Sequence, residues 1–455
     1  MRLSFLLTLS AAILTPPMHA KDHPNVLMIS VDDMNDFASY MGLYPDVITP
    51  NMDRLAASGT AFNKAHCQYP LCSPSRASVM SGLFPYTSGI IKNTKDDGVA
   101  KIVNDLGAEL MHTYFSKHGY KTMAIGKIMH RHLPRDSADL SGGRKEFNHG
   151  TGNLKAQWPQ KGTSTDWAIA PDRDEDLADH QTATWAVERL QEQHDEPFML
   201  MVGFLRPHVP WYAPKKWFDL YDRDAIKLPR FEPDDMEDVP AISRKVNRSK
   251  HMPSTEWAIK NGKYRDIVHA YLACISFVDH QVGRVLEALE SSPYKDNTII
   301  VFWSDHGYHI GEKNTFQKIT TYERSSHVPF VFAGPGVPAG QHTDRVVSLL
   351  DMYPTLVELT GLPKNERNEG RSLVPLMDRP TLDWPHPSII QLGKGHFAIQ
   401  SERYRYIRYE DGSEELYDHK TDLDEIHNIA GNPEYDSLKT AMAKYIPGSD
   451  GVNKQ

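Results

Sequence analysis

The chain has 455 residues, room for about three average domains or for one large α/β domain with a small companion. Hydrophobic residues make up 40% and charged residues 24%, ordinary values for a globular protein that indicate neither a disordered chain nor a membrane-spanning architecture. The formal charge of −9 comes from 50 basic and 59 acidic residues with no dominant Lys/Arg block, so nucleic acid is an unfavourable partner and an anionic substrate would need a local basic pocket.

The N-terminus MRLSFLLTLSAAILTPPMHAKD has one Arg, an apolar stretch from Leu3 to Leu14, a Pro16-Pro17 pair and Ala20 ahead of Lys21. That is the build of a secretory signal peptide over residues 1–20, although Met18 is bulky for the position three before the cut. The apolar run is short for a membrane span, and no later uncharged stretch is long enough. The expectation is an exported protein, periplasmic or secreted, with no membrane partner. No cysteine stands next to the cut, which argues against a lipid anchor. Three cysteines, Cys67, Cys72 and Cys274, are too few and odd in number for a disulfide scaffold. In an oxidising compartment a lone thiol pairs, turns reactive or is consumed by a modification.

Five apolar, β-branched runs read as buried strands: 25–31, 121–126, 197–205, 297–304 and 328–334. Helical patterns lie between them. One ends at Gly119 after 106–119. The clearest runs from Tyr264 through Tyr271, Leu272 and Val285 to Leu289, an apolar stripe on one long helix. Strands alternating with helices imply a large, mostly parallel sheet covered on both faces. The stretch 134–176 is polar and reads as a loop insertion near the pocket. After about residue 385, alternating stretches flank Asp411-Gly412, a hairpin signal, so a small C-terminal antiparallel subdomain should close the chain over 385–455, after a main domain of 21–384.

Ligands of open α/β sheets collect at the carboxyl ends of the strands. Asp32-Asp33 follow the first strand directly and Asp305-His306 the fourth. Adjacent acids repel unless a cation neutralises them, so a divalent metal with oxygen ligands is the economical reading, against plain solvated loop acids. A hard ion, Ca2+ or less favourably Mg2+, suits this set better than zinc, because His306 is its only nitrogen ligand. In the run LCSPSRASVMSG, Pro74-Ser75-Arg76 opens a short helix ending near Gly82. The Cys72 sulfur then stands near a helix N-terminus that favours an anion, with Arg76 as a forked cation. By themselves these residues also fit a low-pKa redox cysteine or an inert core cysteine.

LCSPSRASVMSG resembles the sulfatase signature C-x-P-S-R followed by a helix, and GYKTMAIGKIMH (119–130) resembles the second signature of that family. With NVLMISVDD at the start and WSDHG at 303–307, four motifs stand in the family's order over about residues 25–335. PHVP (207–210), DHQVGR (279–284) and SSHVP (325–329) look closest to the iduronate-2-sulfatase branch. Two departures are Ser81, where Thr, Ala or Arg is usual, and Lys313, where many relatives have His.

The resemblance implies an alkaline-phosphatase-like α/β sandwich whose Cys72 is oxidised to 3-oxoalanine (formylglycine) by a formylglycine-generating or anaerobic maturase enzyme. It implies a metal, usually Ca2+, held by Asp32, Asp33, Asp305, His306 and an oxygen of modified residue 72. One hydroxyl of the hydrated aldehyde would attack sulfur, with Arg76 and the metal making it more acidic, and Lys127 would hold the hydrate and the sulfate oxygens. His208 or Lys318 would protonate the leaving oxygen, and His130 would take the proton of the second hydroxyl to expel sulfate. The implied substrate is a sulfated oligosaccharide or polysaccharide. The rivals are a phosphonate or phosphate-ester hydrolase on the same scaffold and a non-catalytic carbohydrate-binding relative. WYAPKKWF (211–218) reads as packing or rim in preference to a sugar platform. Cys67 and Cys274 either bridge or stay buried as thiols, and His309 and His327 receive no role.

Overall fold

A computed structural model describes residues 23–145 and 154–448; the expected signal peptide lies outside the described residues. Eleven strands of the main body are β1 (Asn25–Asp32), β2 (Gly59–His66), β3 (Lys121–Gly126), β4 (Leu140–Ser141), β5 (Trp167–Ile169), β6 (Phe198–Pro207), β7 (Trp211–Ala213), β8 (Thr298–Ser304), β9 (His327–Val328), β10 (Phe330–Ala333) and β11 (Gln341–Ser348). Among the described residues nine of them form one sheet in the order β11-β2-β10-β8-β1-β6-β3-β4, with β9 beside β2, while β5 pairs with β7. The central pairs β8-β1-β6-β3 are all parallel, and β10 runs antiparallel between β8 and β2.

Side chains of β1 alternate between two cores, as the period of a strand requires. Leu27, Ile29 and Val31 face the side covered by the long helix Tyr264–Glu290. Val26 and Met28 face the side covered by the helices Cys72–Ser81 and Met352–Leu359. Both faces are dry, which explains why these strands read as continuous apolar runs.

Sequence reading misses β2 and β11. GTAFNKAH and QHTDRVVS carry polar residues, as strands near a sheet edge do. Two helices differ at their starts. The one expected over 106–119 is helical over Met111–Lys117, and the one expected from Pro74 begins at Cys72 itself. The 134–176 insertion contributes β4 and β5 among its described residues. Cys67 and Cys274 are both free and lie in cores on opposite faces of the sheet, so the bridge is excluded. Trp211 and Tyr212 are fully buried, so their segment is packing.

The C-terminal strands β12 (Ser388–Leu392), β13 (His396–Gln400), β14 (Tyr404–Arg408) and β15 (Glu414–Asp418) make the antiparallel sheet, and the expected hairpin closes with Arg408 opposite Glu414. Arg405 of β14 is fully buried and ties this sheet to the main body. Its guanidinium donates to Glu323 Oε2 at 2.8 Å, to the Thr321 carbonyl at 2.8 and 2.9 Å and to Ser326 Oγ at 3.0 Å. Although burial opposes ionisation, the neighbouring His66 and His327 hold the Glu323 carboxyl well below its ordinary range. Arg405→Ala would take the guanidinium from two buried carboxylates, Glu323 and Glu425, and from the Thr321 carbonyl, and we expect a loss of about 3–5 kcal/mol in urea unfolding; a loss under about 1 kcal/mol would show that the sheets are joined by apolar contact instead.

Candidate active site

The parallel register pairs Val31 with Ser304, so the residues following both strands emerge side by side. The register carries Asp32 and Asp33 next to Asp305 and His306. Asp33 takes a left-handed backbone, φ 65°, a region that Asp tolerates better than most residues. Its N–H then donates to Asp305 Oδ1 at 3.2 Å, and the His306 N–H donates to the same oxygen at 3.0 Å.

The helix Cys72–Ser81 starts over this junction. Cys72 is buried in its first turn; Lys318 Nζ lies 3.0 Å from the sulfur and His306 Nε2 3.3 Å. Arg76, one turn further, is fully buried, with Nε 2.8 Å from Asp305 Oδ2 and Nη2 3.6 Å from Asp32 Oδ1. Its Nη1 donates to the carbonyls of Lys127 (2.5 Å) and Ile128 (3.1 Å). Lys127 in turn bonds Asp32 Oδ2 through Nζ. Lys318 Nζ donates to Asp33 Oδ1 at 2.7 Å, and His208 Nε2 stands 3.8 Å from Asp33 Oδ2.

Ten residues singled out from sequence thus converge: Asp32, Asp33, Cys72, Arg76, Lys127, His130, His208, Asp305, His306 and Lys318, with the His130 side chain hydrogen-bonded beside Cys72. His309 and His327 sit behind it. His309 bonds Thr320 Oγ1 at 2.9 Å, and His327 bonds Asp36 at 3.1 Å.

Electrostatics follow from burial and alternation of charge. Burial alone would raise the Cys72 thiol, but Lys127, Lys318 and His306, with the His130 bond, hold it well below the usual range. Burial and Cys72 push Asp32 up, yet Lys127, His208 and Arg76 outweigh them and keep it low. Burial raises Asp305 despite Arg76, and Asp32 adds to the rise. Against burial, Asp305 and Cys72 raise His306 to about 9. Burial likewise opposes Lys318, but Asp33 and Cys72 raise it well above its ordinary value.

The donor set fits a hard cation. Asp32, Cys72, Asp305 and His306 offer ligand atoms all within 4.8 Å of one another, and so do Asp32, Asp33, Cys72 and His208. Asp32 Oδ1 and Asp33 Oδ2 are buried and receive no hydrogen bond from any described residue. Buried carboxylate oxygens without a hydrogen-bond donor are where an oxygen-seeking divalent ion belongs.

Several supporting residues escape sequence reading. Ser75 Oγ donates to the Asp305 carbonyl at 2.5 Å, and Ser304 Oγ accepts the Met34 N–H at 3.0 Å. Tyr271, which the apolar stripe counts as core, donates its hydroxyl to the Asp33 carbonyl at 2.8 Å. Arg144, carried in beside β3 by the bond from Gly126 N–H to Gly143 O (2.8 Å), is lowered by burial while Asp32 and Cys72 pull it back up. Only the serines had a signal, since both lie inside quoted motifs.

Comparison with known proteins gives consistent matches. The family described as Sulfatase matches residues 24–362, and that described as N-sulphoglucosamine sulphohydrolase, C-terminal matches 311–449. A sulfatase of Formosa agariphila is 44% identical over 444 residues, covering 95% of this chain and 88% of its own. Iduronate 2-sulfatase of Mus musculus is 28% identical over 395 residues, covering 76% and 70%. Among solved structures, one in complex with its substrate D-glucosamine-2-N,6-O-disulfate superposes with a TM-score of 0.73 at 21% identity, over 93% of this chain and 96% of that one. Phosphonate monoester hydrolase of Agrobacterium radiobacter gives 0.74 at 20% identity, over 92% and 94%. At such identities the likeness is one of fold, and it agrees with the alkaline-phosphatase-like sandwich.

Gly126 and Gly203 let the β3 turn carrying Lys127 touch β6. A Cβ on Gly203 would lie 2.2 Å from the Lys127 carbonyl oxygen, and Gly126 has φ 79°. Gly203→Ala should therefore cost about 1–3 kcal/mol of stability. By displacing Lys127 it should also lower turnover by at least about tenfold. Thermal melts and kcat on the same preparation check both; a stable variant with full turnover would contradict the contact.

Proposed function

The chain belongs to the sulfatase family of sulfuric ester hydrolases, and we propose that it removes sulfate from a sulfated saccharide using a formylglycine made from Cys72. The observation carrying this reading is the convergence of Asp32, Asp33, Asp305 and His306, from two distant strand ends, on Cys72 at the start of its helix. The saccharide is supported by the sulfated glucosamine bound in the structural relative and by iduronate 2-sulfatase among the sequence relatives. Export to the periplasm or medium, supported by the sequence of residues 1–20, and a maturase partner belong to the same reading. No helix among the described residues is long and apolar enough to cross a membrane.

The formylglycine, hydrated, would supply two hydroxyls on one carbon, one to attack sulfur and a second whose loss of a proton re-forms the aldehyde and expels the sulfate held on the first. A bound Ca2+ held by Asp32, Asp33, Asp305 and His306 would neutralise the carboxylates and polarise a sulfate oxygen. The chain's own side chains do the rest. Arg76 fixes the Asp305 carboxylate through a charge-assisted bond and leaves positive charge facing residue 72. Lys127 and Lys318 flank Cys72 with fixed charge that cancels the negative charge of a sulfate ester before attack. Lys318 and His208, both reaching Asp33 and only partly buried, are the donors for the leaving oxygen. His130 stands beside side chain 72 to accept its proton in the second half of the reaction.

A second reading, phosphate- or phosphonate-ester hydrolysis, is favoured by the fold shared with the phosphonate hydrolase. Matched aryl sulfate and aryl phosphate esters separate the two, and faster phosphate cleavage would replace our reading. A non-catalytic carbohydrate binder has no use for the full set of acids, lysines and Cys72.

Peptide mass spectrometry on residue 72 from the native host should find the aldehyde; an unaltered thiol in an active preparation would refute the mechanism. Cys72→Ala should abolish turnover while leaving the melting temperature within a few degrees. Chelation should lower both turnover and melting temperature, because an ion that binds only the folded state stabilises it, and Ca2+ should restore them.

A further inference from the structure

Between Asp238 and Glu256 the chain has no acidic residue, and it carries Arg244, Lys245, Arg248, Lys250 and His251, all exposed. Among the described residues, Lys245, Arg248 and Lys250 form no ion pair. In a chain of net charge −9 this strip is a local reversal of sign.

Its position is set from within. Asn247, in the middle of the run, is buried; its Oδ1 accepts the Thr321 N–H at 3.0 Å and its carbonyl accepts from Gln317 Nε2. Gln317 and Thr321 flank Lys318, whose Nζ is 3.0 Å from Cys72 Sγ. The far end of the strip is fastened to the His208 arm. The His251 carbonyl accepts from the Trp158 indole at 2.9 Å, and Met252 Sδ accepts from Thr165 Oγ1 at 2.8 Å. The next residue, Asp166, takes the Trp211 N–H on its carbonyl at 2.8 Å, three residues beyond His208. The bases therefore border the side of the site where Lys318 and His208 stand, the side from which the leaving oxygen departs. Trp158 and Trp257, packed edge to face at 4.7 Å, lie at the same border, where apolar sugar faces find aromatic surface.

We infer that this strip binds the leaving-group side of an extended, multiply sulfated saccharide, so that the site is built for an oligosaccharide or polysaccharide in preference to a small sulfate ester. The inference rests on the sulfatase reading and adds the substrate's length and charge. Screening limits a surface charge to roughly 8 Å at physiological salt, so the strip acts on sulfates lying along it and the distant acids of the chain do not cancel it. Regularly spaced sulfates on a chain leaving past Lys318 meet that requirement. A lone aryl sulfate does not.

The test uses full-length Cys72→Ala protein, which binds without turnover, and labelled disaccharides and octasaccharides from heparin and from κ-carrageenan. In one of the two series the octasaccharide should bind at least about tenfold more tightly than the disaccharide, and 0.5 M salt should remove that advantage. Adding Lys245→Ser, Arg248→Ser and Lys250→Ser should shrink the advantage to about twofold or less. The single reversal Arg248→Glu serves the same purpose should the triple variant melt lower. An octasaccharide advantage that survives the substitutions, or no advantage in either series, overturns the inference. So does a DNA oligonucleotide of equal charge that binds as tightly and loses as much in the variant. Sulfate release by the unsubstituted enzyme from the same saccharides and from an aryl sulfate is measured alongside: its absence from all of them removes the sulfatase reading, whereas release without length dependence removes only this one.

Discussion

Three carboxylates buried against one another cannot all stay ionised unless cations are wedged between them, and Arg76 is the first of those wedges. It bonds Asp305, faces Asp32 and donates to the carbonyls of Val31, Lys127 and Ile128 and to Ser30 Oγ. A guanidinium does not lose its proton in a protein, so this charge is permanent. Removing it would leave two strand ends repelling each other and the β3 turn without its cap. The helix carrying Cys72, the turn carrying Lys127 and the acids of β1 and β8 are positioned by one side chain.

The backbone prepares the same point. Parallel, in-register pairing of β1 with β8 brings two acidic dipeptides together without any loop having to reach, and the left-handed Asp33 turns its N–H onto Asp305. Cys72 then lies where a helix begins, so backbone N–H groups add to the positive potential supplied by Lys127 and Lys318. Alternation of charge makes the pocket close to neutral by itself. A divalent ion would tip it positive, which is what an anionic ester requires before a nucleophile can approach.

The rim depends on the C-terminal sheet. Arg405 of β14 holds the Thr321 carbonyl, Asn247 holds Gln317 and Thr321, and Lys318 lies between these anchors. The C-terminal sheet therefore acts on the site through a loop of the main body, and the basic strip of 244–251 rides on the same loop. This arrangement couples the wall that would meet the saccharide to the lysine that would protonate its oxygen.

By itself, the sequence determined the parallel α/β class, the buried strands, the long helix and the C-terminal hairpin, and it singled out the ten residues that the fold brings together. It could do so because strands dry on both faces read as apolar runs, and because the chemistry lies in short contiguous motifs at strand ends and at one helix start. The tertiary structure alone decided the rest. The polar strands β2 and β11 become strands through their neighbours, and Tyr271 changes from core residue to a hydrogen-bond donor to the Asp33 carbonyl because the long helix, packed over β6 and β7, brings its hydroxyl to the end of β1. Arg144, Arg405 and the basic strip gain meaning from segments tens to hundreds of residues away. Local periodicity records which face of an element is apolar; it holds no record of which distant backbone that face will meet.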